Sequence, residues 1–334
     1  RVVMIGAARQ GLALSRYLVE HGASVILNDR RSEAALTTAR EELRDLDITW
    51  VTGAHPIEML EDADLVCLSG GIPLDLPLIE EAARRNIPLS NDSQIFLEAA
   101  PCPVIGITGS SGKTTTTALV GEIARQHFAL RKPDNKVWVG GNIGNPLIQY
   151  LDKMQSGDLA VMELSSFQLE IMTISPHIAA VLNLTPNHLD RHKSMSAYIS
   201  AKSHILTYQS PEDIAVMNRD DFSVRELFAE VKGRQITFGL RPPFNKQDAT
   251  YIKRNKLYLQ ASGQVAKLIK ADLINLRGTH NLYNVLAAIA ISAAATFSLQ
   301  AIYDGIVAFE GVPHRLEFIR SWGSADWYND SIAT

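Results

Sequence analysis

The sequence predicts an α/β protein made of two successive doubly wound units, with a short hinge segment after them. Three observations carry this. The chain opens on a β-branched and apolar run, Val2–Ile5, followed by Gly6 and then by apolar residues at helical spacing. A second apolar run, Val104–Thr108, enters another glycine loop that leads straight into a helix. The 334 residues suit two domains, or three small ones, at about 100–200 residues each.

Taken in order, Leu12, Leu14, Tyr17, Leu18 and Val19 mark the first helix, which ends near Gly22. Val25–Leu27 then form a strand closed by Asn28-Asp29, completing a βαβ unit. The alternation continues through Leu65–Leu68, the Ser69-Gly70-Gly71 turn and a helix over Leu78–Arg85, so residues 1–98 read as one domain. Pro101-Cys102-Pro103 marks a boundary. The second domain, residues 99–311, begins with Val104–Thr108 and a helix from Lys113 to about Gln126. Strands at Leu159–Met162 and Ile178–Leu184 follow. A charge-rich loop or hairpin spans Arg241–Lys256, and a buried alanine-rich helix spans Asn281–Phe297. Gly311-Val312-Pro313 is a second boundary, after which Leu316–Ile319 and Trp327-Tyr328 pair as a hairpin within residues 312–334.

Composition removes several classes of function. Lysine plus arginine total 32 against 36 for aspartate plus glutamate, a balance that argues against broad capture of nucleic acid. With 46% hydrophobic and 20% charged residues the chain can bury a sizeable core. Two cysteines, Cys67 and Cys102, exclude a disulfide scaffold and a four-cysteine zinc site. The longest nearly apolar stretch, Val285–Phe297, is too short to span a bilayer as a helix. No basic segment followed by an apolar one opens the chain, so the expected compartment is the cytoplasm. A monomer with no membrane or nucleic-acid partner is the expected state.

The most informative segment is Thr108-Gly109-Ser110-Ser111-Gly112-Lys113-Thr114-Thr115. Glycines turn backbone N–H groups toward phosphate oxygens, and the helix that follows adds the positive end of its dipole. Lys113 can reach the β- and γ-phosphates, and the Thr114 hydroxyl can ligate Mg²⁺. The strict P-loop spacing asks for glycine at Ile107, and the chain has it one residue earlier, at Gly106. Glu163 ends an apolar strand, where an acid can point into a cleft and hold Mg²⁺. Asn281 and Asn284 stand three apart on one face of the long helix, with amides that can pair with an adenine edge. In the first domain, Gly6-Ala7-Ala8-Arg9-Gln10-Gly11 has Ala8 where a dinucleotide loop needs glycine. NAD is therefore disfavoured, although Asp29 sits where a ribose-binding acid would.

The phosphate loop resembles that of the Mur ligases, the ATP-dependent amino-acid ligases of peptidoglycan synthesis. Other stretches agree in the same order: Gly141-Asn142-Ile143-Gly144, Glu163-Leu164-Ser165-Ser166-Phe167-Gln168-Leu169-Glu170 and Asn187-His188-Leu189-Asp190-Arg191-His192, then Ala201-Lys202, His280-Asn281, Asn284, His314-Arg315 and Asn329-Asp330-Ser331. The glutamate run is similar to the branch that adds D-glutamate to UDP-N-acetylmuramoyl-L-alanine. The resemblance implies a Rossmann-like first domain that binds the UDP-substrate, a P-loop second domain that binds ATP, and a further Rossmann-like domain beyond Thr334. A chain ending there is expected to bind the UDP-substrate and not to ligate.

It also implies roles. Glu163 is shared between two magnesium ions, and His188, which also contacts the substrate, binds the second, an unusual ligand for a metal that prefers oxygen. Lys202 is carbamylated by CO₂, which requires a neutral amine and hence a depressed pKa. Arg315 contacts the ATP phosphates and Asp330 the ribose region. Arg9, Gln10, Asp29, Arg30, Arg31 and Gly71 match the UDP loops, and Asn142 contacts the muramoyl portion. Where the branch has lysine at its hinge, this chain has Ile332, which leaves an L-glutamate-adding variant open. Another Mur-like ligase, a folylpolyglutamate-type ligase and a non-catalytic nucleotide-binding module are the remaining alternatives.

Overall fold

The first parallel strands lie where the sequence places them, and their order decides where loops can converge. In the computed structural model, which describes residues 1–323 and 325–332, β1 (Val2–Ile5), β2 (Val25–Asp29), β3 (Ile48–Thr52), β4 (Leu65–Leu68) and β5 (Leu89–Ser90) form one parallel sheet in the order β3-β2-β1-β4-β5. Helices α1 (Arg9–Glu20), α2 (Thr37–Glu42), α3 (Pro77–Arg84) and α4 (Asp92–Ala99) connect and flank it. The strand order reverses beside β1. The loops after β1, β2 and β4 therefore open on one crevice at the carboxyl ends of the strands.

The second sheet has nine strands. Its parallel part comprises β6 (Val104–Thr108), β7 (Val137–Gly141), β8 (Leu159–Glu163), β9 (Ile178–Val181), β10 (Ile214–Asn218), β11 (Arg234–Phe238) and β12 (Ala249–Lys253). β13 (Lys256–Ala261) and β14 (Gln264–Lys270) extend it antiparallel. Here β6 is the switch strand, with β8 on one side and β9 on the other. The helices are α5 (Lys113–Arg131), α6 (Ser166–Leu169), α7 (Leu189–His192), α8 (Met195–Thr207), α9 (Phe222–Glu226), α10 (Thr279–Ala294) and α11 (Leu299–Ala308). A separate hairpin, β15 (Glu317–Trp322) and β16 (Ala325–Asn329), follows.

Several boundaries differ from the sequence expectation for local reasons. α5 runs past Gln126 to Arg131 and stops just before Lys132-Pro133, because a residue preceding proline is pushed out of the helical region. The strand expected over Ile178–Leu184 ends at Val181. α10 starts at Thr279 after Gly278, at φ 92°, and ends short of Phe297, with Thr296 at φ 59°. The stretch Arg241–Lys256 is loop as far as Asp248, then becomes β12 and the turn into β13.

One hydrophobic cluster crosses the domain boundary. It runs from Leu14 and Leu27 through Phe96 to Leu147, Leu151 and Met162. The 3₁₀ segment Leu147–Lys153 of the second domain supplies the bridging side chains, so the first domain sits against the second with a buried apolar joint. No described helix is long and apolar enough to cross a membrane.

Candidate active site

The switch point of the second sheet gathers three loops. After β6, Gly112 takes φ 78° and opens α5, and its missing Cβ leaves room for the Asn284 amide oxygen, which a side chain there would strike. Lys113 donates to the Ser110 carbonyl at 3.3 Å. Burial pushes its amine pKa down, and Arg315 adds to this while Glu163 opposes it. Ser110 bonds Thr185 O and the Tyr198 hydroxyl, both at 2.9 Å, which ties the loop to the segment after β9.

Glu163, at the end of β8, is 1% exposed. Its Oε2 accepts from the Thr114 hydroxyl at 2.9 Å and its Oε1 from the Asn142 amide at 3.0 Å. A capping box follows it: Ser165 Oγ accepts from Gln168 N at 3.3 Å, and Gln168 Oε1 accepts from Ser165 N at 2.9 Å. This short helix start turns the chain away from the crevice and leaves Glu163 facing it.

Lys202, on α8, is 2% exposed and forms no salt bridge among the described residues. Its Nζ donates to Thr108 Oγ1 at 3.2 Å and Gly109 O at 3.0 Å. Burial, then repulsion from Lys113, holds its pKa well below the ordinary lysine value, against a smaller pull from Glu163. It is thus not a surface lysine. His188 occupies a left-handed position, φ 53°, before α7, with its ring 5.2 Å from that of Phe167. Its pKa is lowered by burial and then by Lys113.

The nucleotide side of the crevice is a cleft of about 530 Å³ lined by Ser111, Gly112, Thr115, Asn281, Asn284, Arg315 and Asp330, among others. Asn284 Nδ2 donates to Asn281 Oδ1 at 3.0 Å, and Asn281 Nδ2 donates to Arg277 O at 2.7 Å, so both amides are held in place. Arg315 and Asp330 do not pair. Arg315 Nε is buried without a partner among the described residues, and Asp330 accepts from Leu316 N at 3.0 Å.

Sequence reading missed Asn183, Asp220 and Tyr283 in this cleft. Asn183 grips Ser111 from both sides, accepting from its N at 2.8 Å and donating to its O at 3.0 Å. It stands two residues past the end of β9, between Leu182 and Leu184, and nothing local marks it as a partner of Ser111. Tyr283 donates to Asp220 at 3.1 Å, a pair distant in sequence with no local signature.

The first-domain loops face this crevice. Arg9 donates to Asn142 O at 3.5 Å across the boundary. Gln10 Oε1 accepts from Gly70 N at 3.2 Å, and Gly71 O accepts from Arg191. Asp29 is held internally. Its Oδ2 accepts from Ala7 N at 2.9 Å, and Arg31 grips both oxygens. Burial alone would raise its pKa, but the Arg31 and N–H bonds outweigh that and bring it to about 2. Arg30 is exposed and unbonded among the described residues.

The donor set fits a Mg²⁺-bound triphosphate. Mg²⁺ is held by one or two protein oxygens plus phosphates and water, not by a full protein cage. The Thr114 hydroxyl and Glu163 carboxylate supply such oxygens beside a phosphate loop.

A P-loop α/β domain joined to a Rossmann-like domain, with an acid at the end of β8 and a buried lysine beneath the loop, defines a nucleotide-dependent enzyme class. Residues 107–292 match the Mur ligase middle domain, and residues 1–91 match the Mur ligase MurD-like N-terminal domain. The chain belongs to the Mur ligase family. It is 41% identical to the UDP-N-acetylmuramoylalanine–D-glutamate ligase of Symbiobacterium thermophilum over 334 residues, covering 100% of this chain and 72% of that protein. The ligase of the same name from Koribacter versatilis is 37% identical, with the same coverage. Among solved structures, UDP-N-acetylmuramate:L-alanyl-gamma-D-glutamyl-meso-diaminopimelate ligase from Neisseria meningitides shares the fold at TM-score 0.59 and 18% identity, covering 93% of this chain and 98% of that one. UDP-N-acetylmuramate-alanine ligase from Thermotoga maritima shares it at 0.53 and 22%, covering 98% and 73%.

Proposed function

We propose that the protein joins D-glutamate to UDP-N-acetylmuramoyl-L-alanine, a peptidoglycan precursor, at the expense of ATP. The observation that carries this reading is the bonding of Thr114 and Asn142 to the two oxygens of Glu163, between the phosphate loop and the loops of the first domain. The names of the relatives support the choice of substrates.

A carboxylate is a poor electrophile toward an amine in water. In the proposed reaction, an oxygen of the muramoyl-alanine carboxylate attacks the γ-phosphorus of ATP, the bond to ADP breaks, and an acyl phosphate forms. The glutamate amine then attacks the acyl carbon, the tetrahedral intermediate expels phosphate, and the amine proton is lost. Residues Gly109–Thr115 would cradle the phosphates through backbone N–H groups, with Lys113 on the β- and γ-oxygens. Asn281 and Asn284 would hold the adenine, Asp330 the ribose and Arg315 a phosphate. Thr114 and Glu163 would hold Mg²⁺, which supplies charge neutralisation at the phosphates when bound. His188 and a carbamate on Lys202 would hold a second ion, and His188 would also face the UDP-linked substrate. Burial and repulsion from Lys113 lower the Lys202 pKa and so favour the neutral amine, the form that adds to CO₂. Arg9, Gln10, Arg30, Arg31 and Gly71 would face the UDP portion, with Asp29 fixing the loop through Ala7 and Arg31. Asn142 would face the muramoyl portion. The reading extends to a monomer acting in the cytoplasm, where free ATP is available.

Borohydride trapping tests it. With MgATP and UDP-N-acetylmuramoyl-L-alanine but no glutamate, reduction should yield the corresponding alcohol. ATP consumption without that alcohol would contradict the acyl-phosphate route.

A further inference from the structure

The two domains are hydrogen-bonded in two distinct settings. Deep in the joint, Asn91 Nδ2 donates to Gln168 O at 2.8 Å and Gln168 Nε2 donates to Ser93 Oγ at 2.7 Å, all buried. At the open rim, the Arg191 guanidinium lies over the Phe167 ring, 5.4 Å from its centroid, and donates to Gly71 O.

What Arg191 grips is a tight turn. Ile72 N donates to Ser69 O at 3.2 Å, and Gly71, the third residue, takes φ 92°. The first domain fixes the start of this turn, through Ser69 N to Ile5 O at 2.9 Å and Gly70 N to Gln10 Oε1 at 3.2 Å. The peptide plane between Gly71 and Ile72 is then held at both ends, by Arg191 and by Ser69. The Gly71 N–H has no partner among the described residues and is left as a free donor at the tip. At its other end, Arg191 belongs to a one-turn helix bracketed by His188 at φ 53° and Lys193 at φ 63°, so the arginine cannot shift along the chain without disturbing His188. A second rim pair, Lys193–Asp75 at 3.2 Å, has side chains 78% and 63% exposed and lies outside the turn, whereas Arg191, also exposed, is anchored over the Phe167 ring and bonds the turn itself.

We infer that Arg191 is a positioning residue for the UDP-linked substrate. It locks the Ser69–Ile72 turn of the first domain to the turn that presents His188, so that the two halves of the substrate site share one geometry. The inference rests on the reading above that Gly71 and His188 both face that substrate.

Calorimetric titration with UDP-N-acetylmuramoyl-L-alanine, and separately with Mg²⁺ and a non-hydrolysable ATP analogue, tests it. Arg191→Met keeps an apolar stem against Phe167 and removes the donor. It should weaken UDP-substrate binding about tenfold, the loss expected for a charge-assisted hydrogen bond, and leave nucleotide binding unchanged. Arg191→Lys should recover most of the loss, and Lys193→Ala should bind like the unmutated protein. Arg191→Met binding the UDP-substrate normally would overturn the assignment. So would equal loss of both ligands, or no recovery in Arg191→Lys. Absence of UDP-substrate binding by the unmutated protein would overturn the proposed function itself, and this assignment with it.

Discussion

The Thr114 hydroxyl donates to Glu163 Oε2 across 2.9 Å, joining the first turn of α5 to the end of β8. Two residues 49 positions apart thereby present their oxygens to one point beside the phosphate loop. Glu163→Gln keeps the shape and removes the charge. In the full-length protein it should lower ATP-dependent phosphate release by roughly 10²–10³, the scale for losing one preorganised charge contact. Lys113→Ala should bring turnover close to zero with an unchanged circular dichroism spectrum. Substantial turnover in either variant would contradict these roles.

Gly112→Ala places a methyl group where the backbone has φ 78° and where the Asn284 amide stands. The strained conformation alone costs about 1–3 kcal/mol. Nucleotide affinity should fall at least as much as stability does, because Asn284 must also move. Fluorescent-nucleotide titration alongside thermal melting separates the two, and unchanged affinity would show that the Gly112–Asn284 contact is dispensable.

Lys202 is buried without a salt-bridge partner among the described residues, so its removal should relieve a cost. Lys202→Met should unfold at higher denaturant concentration than the unmutated protein at neutral pH, yet lose activity. In the unmutated protein, activity should fall after CO₂ is stripped from buffer and return on adding bicarbonate. Activity indifferent to CO₂ would exclude the carbamate.

Asp92 lies in the domain joint, 3% exposed, with Oδ1 unpartnered among the described residues. Burial raises its pKa from 3.8 to about 6, only partly countered by Gln168 and by the Ser93 and Asp92 N–H groups. The folded protein therefore binds a proton that the unfolded chain has released between these values. Stability must fall as pH rises through that window, by up to roughly 3 kcal/mol. Asp92→Asn should be the more stable protein above pH 6, with the advantage vanishing below about pH 4. A difference that does not change with pH would refute this.

The βαβ order, the phosphate loop, Glu163 and the Asn281/Asn284 pair were legible because each depends on neighbours in sequence. A strand end places its own last residue, and an i, i+3 spacing sets a helix face. Lys202 was legible only through family resemblance, since nothing local in Tyr198–Lys202 says that α8 packs under Gly109. Asn183 gripping Ser111, Tyr283 on Asp220 and Arg191 on Gly71 were not legible. Each joins segments 63 to 120 residues apart, and only the folded sheets bring them together. Asp29 carried a signal for ribose binding, and its carboxylate also ties Ala7 of the loop after β1 to Arg31 of the loop after β2, a link with no local signature.

The central claim is tested most directly by phosphate release from the full-length protein with MgATP and UDP-N-acetylmuramoyl-L-alanine, as D- and L-glutamate are added in turn. Release that rises with D-glutamate, matched by one amide product per phosphate, is the predicted result. Release driven only by L-glutamate would move the protein to the variant that Ile332 suggested. Release dependent on neither would contradict the assignment as a glutamate-adding ligase.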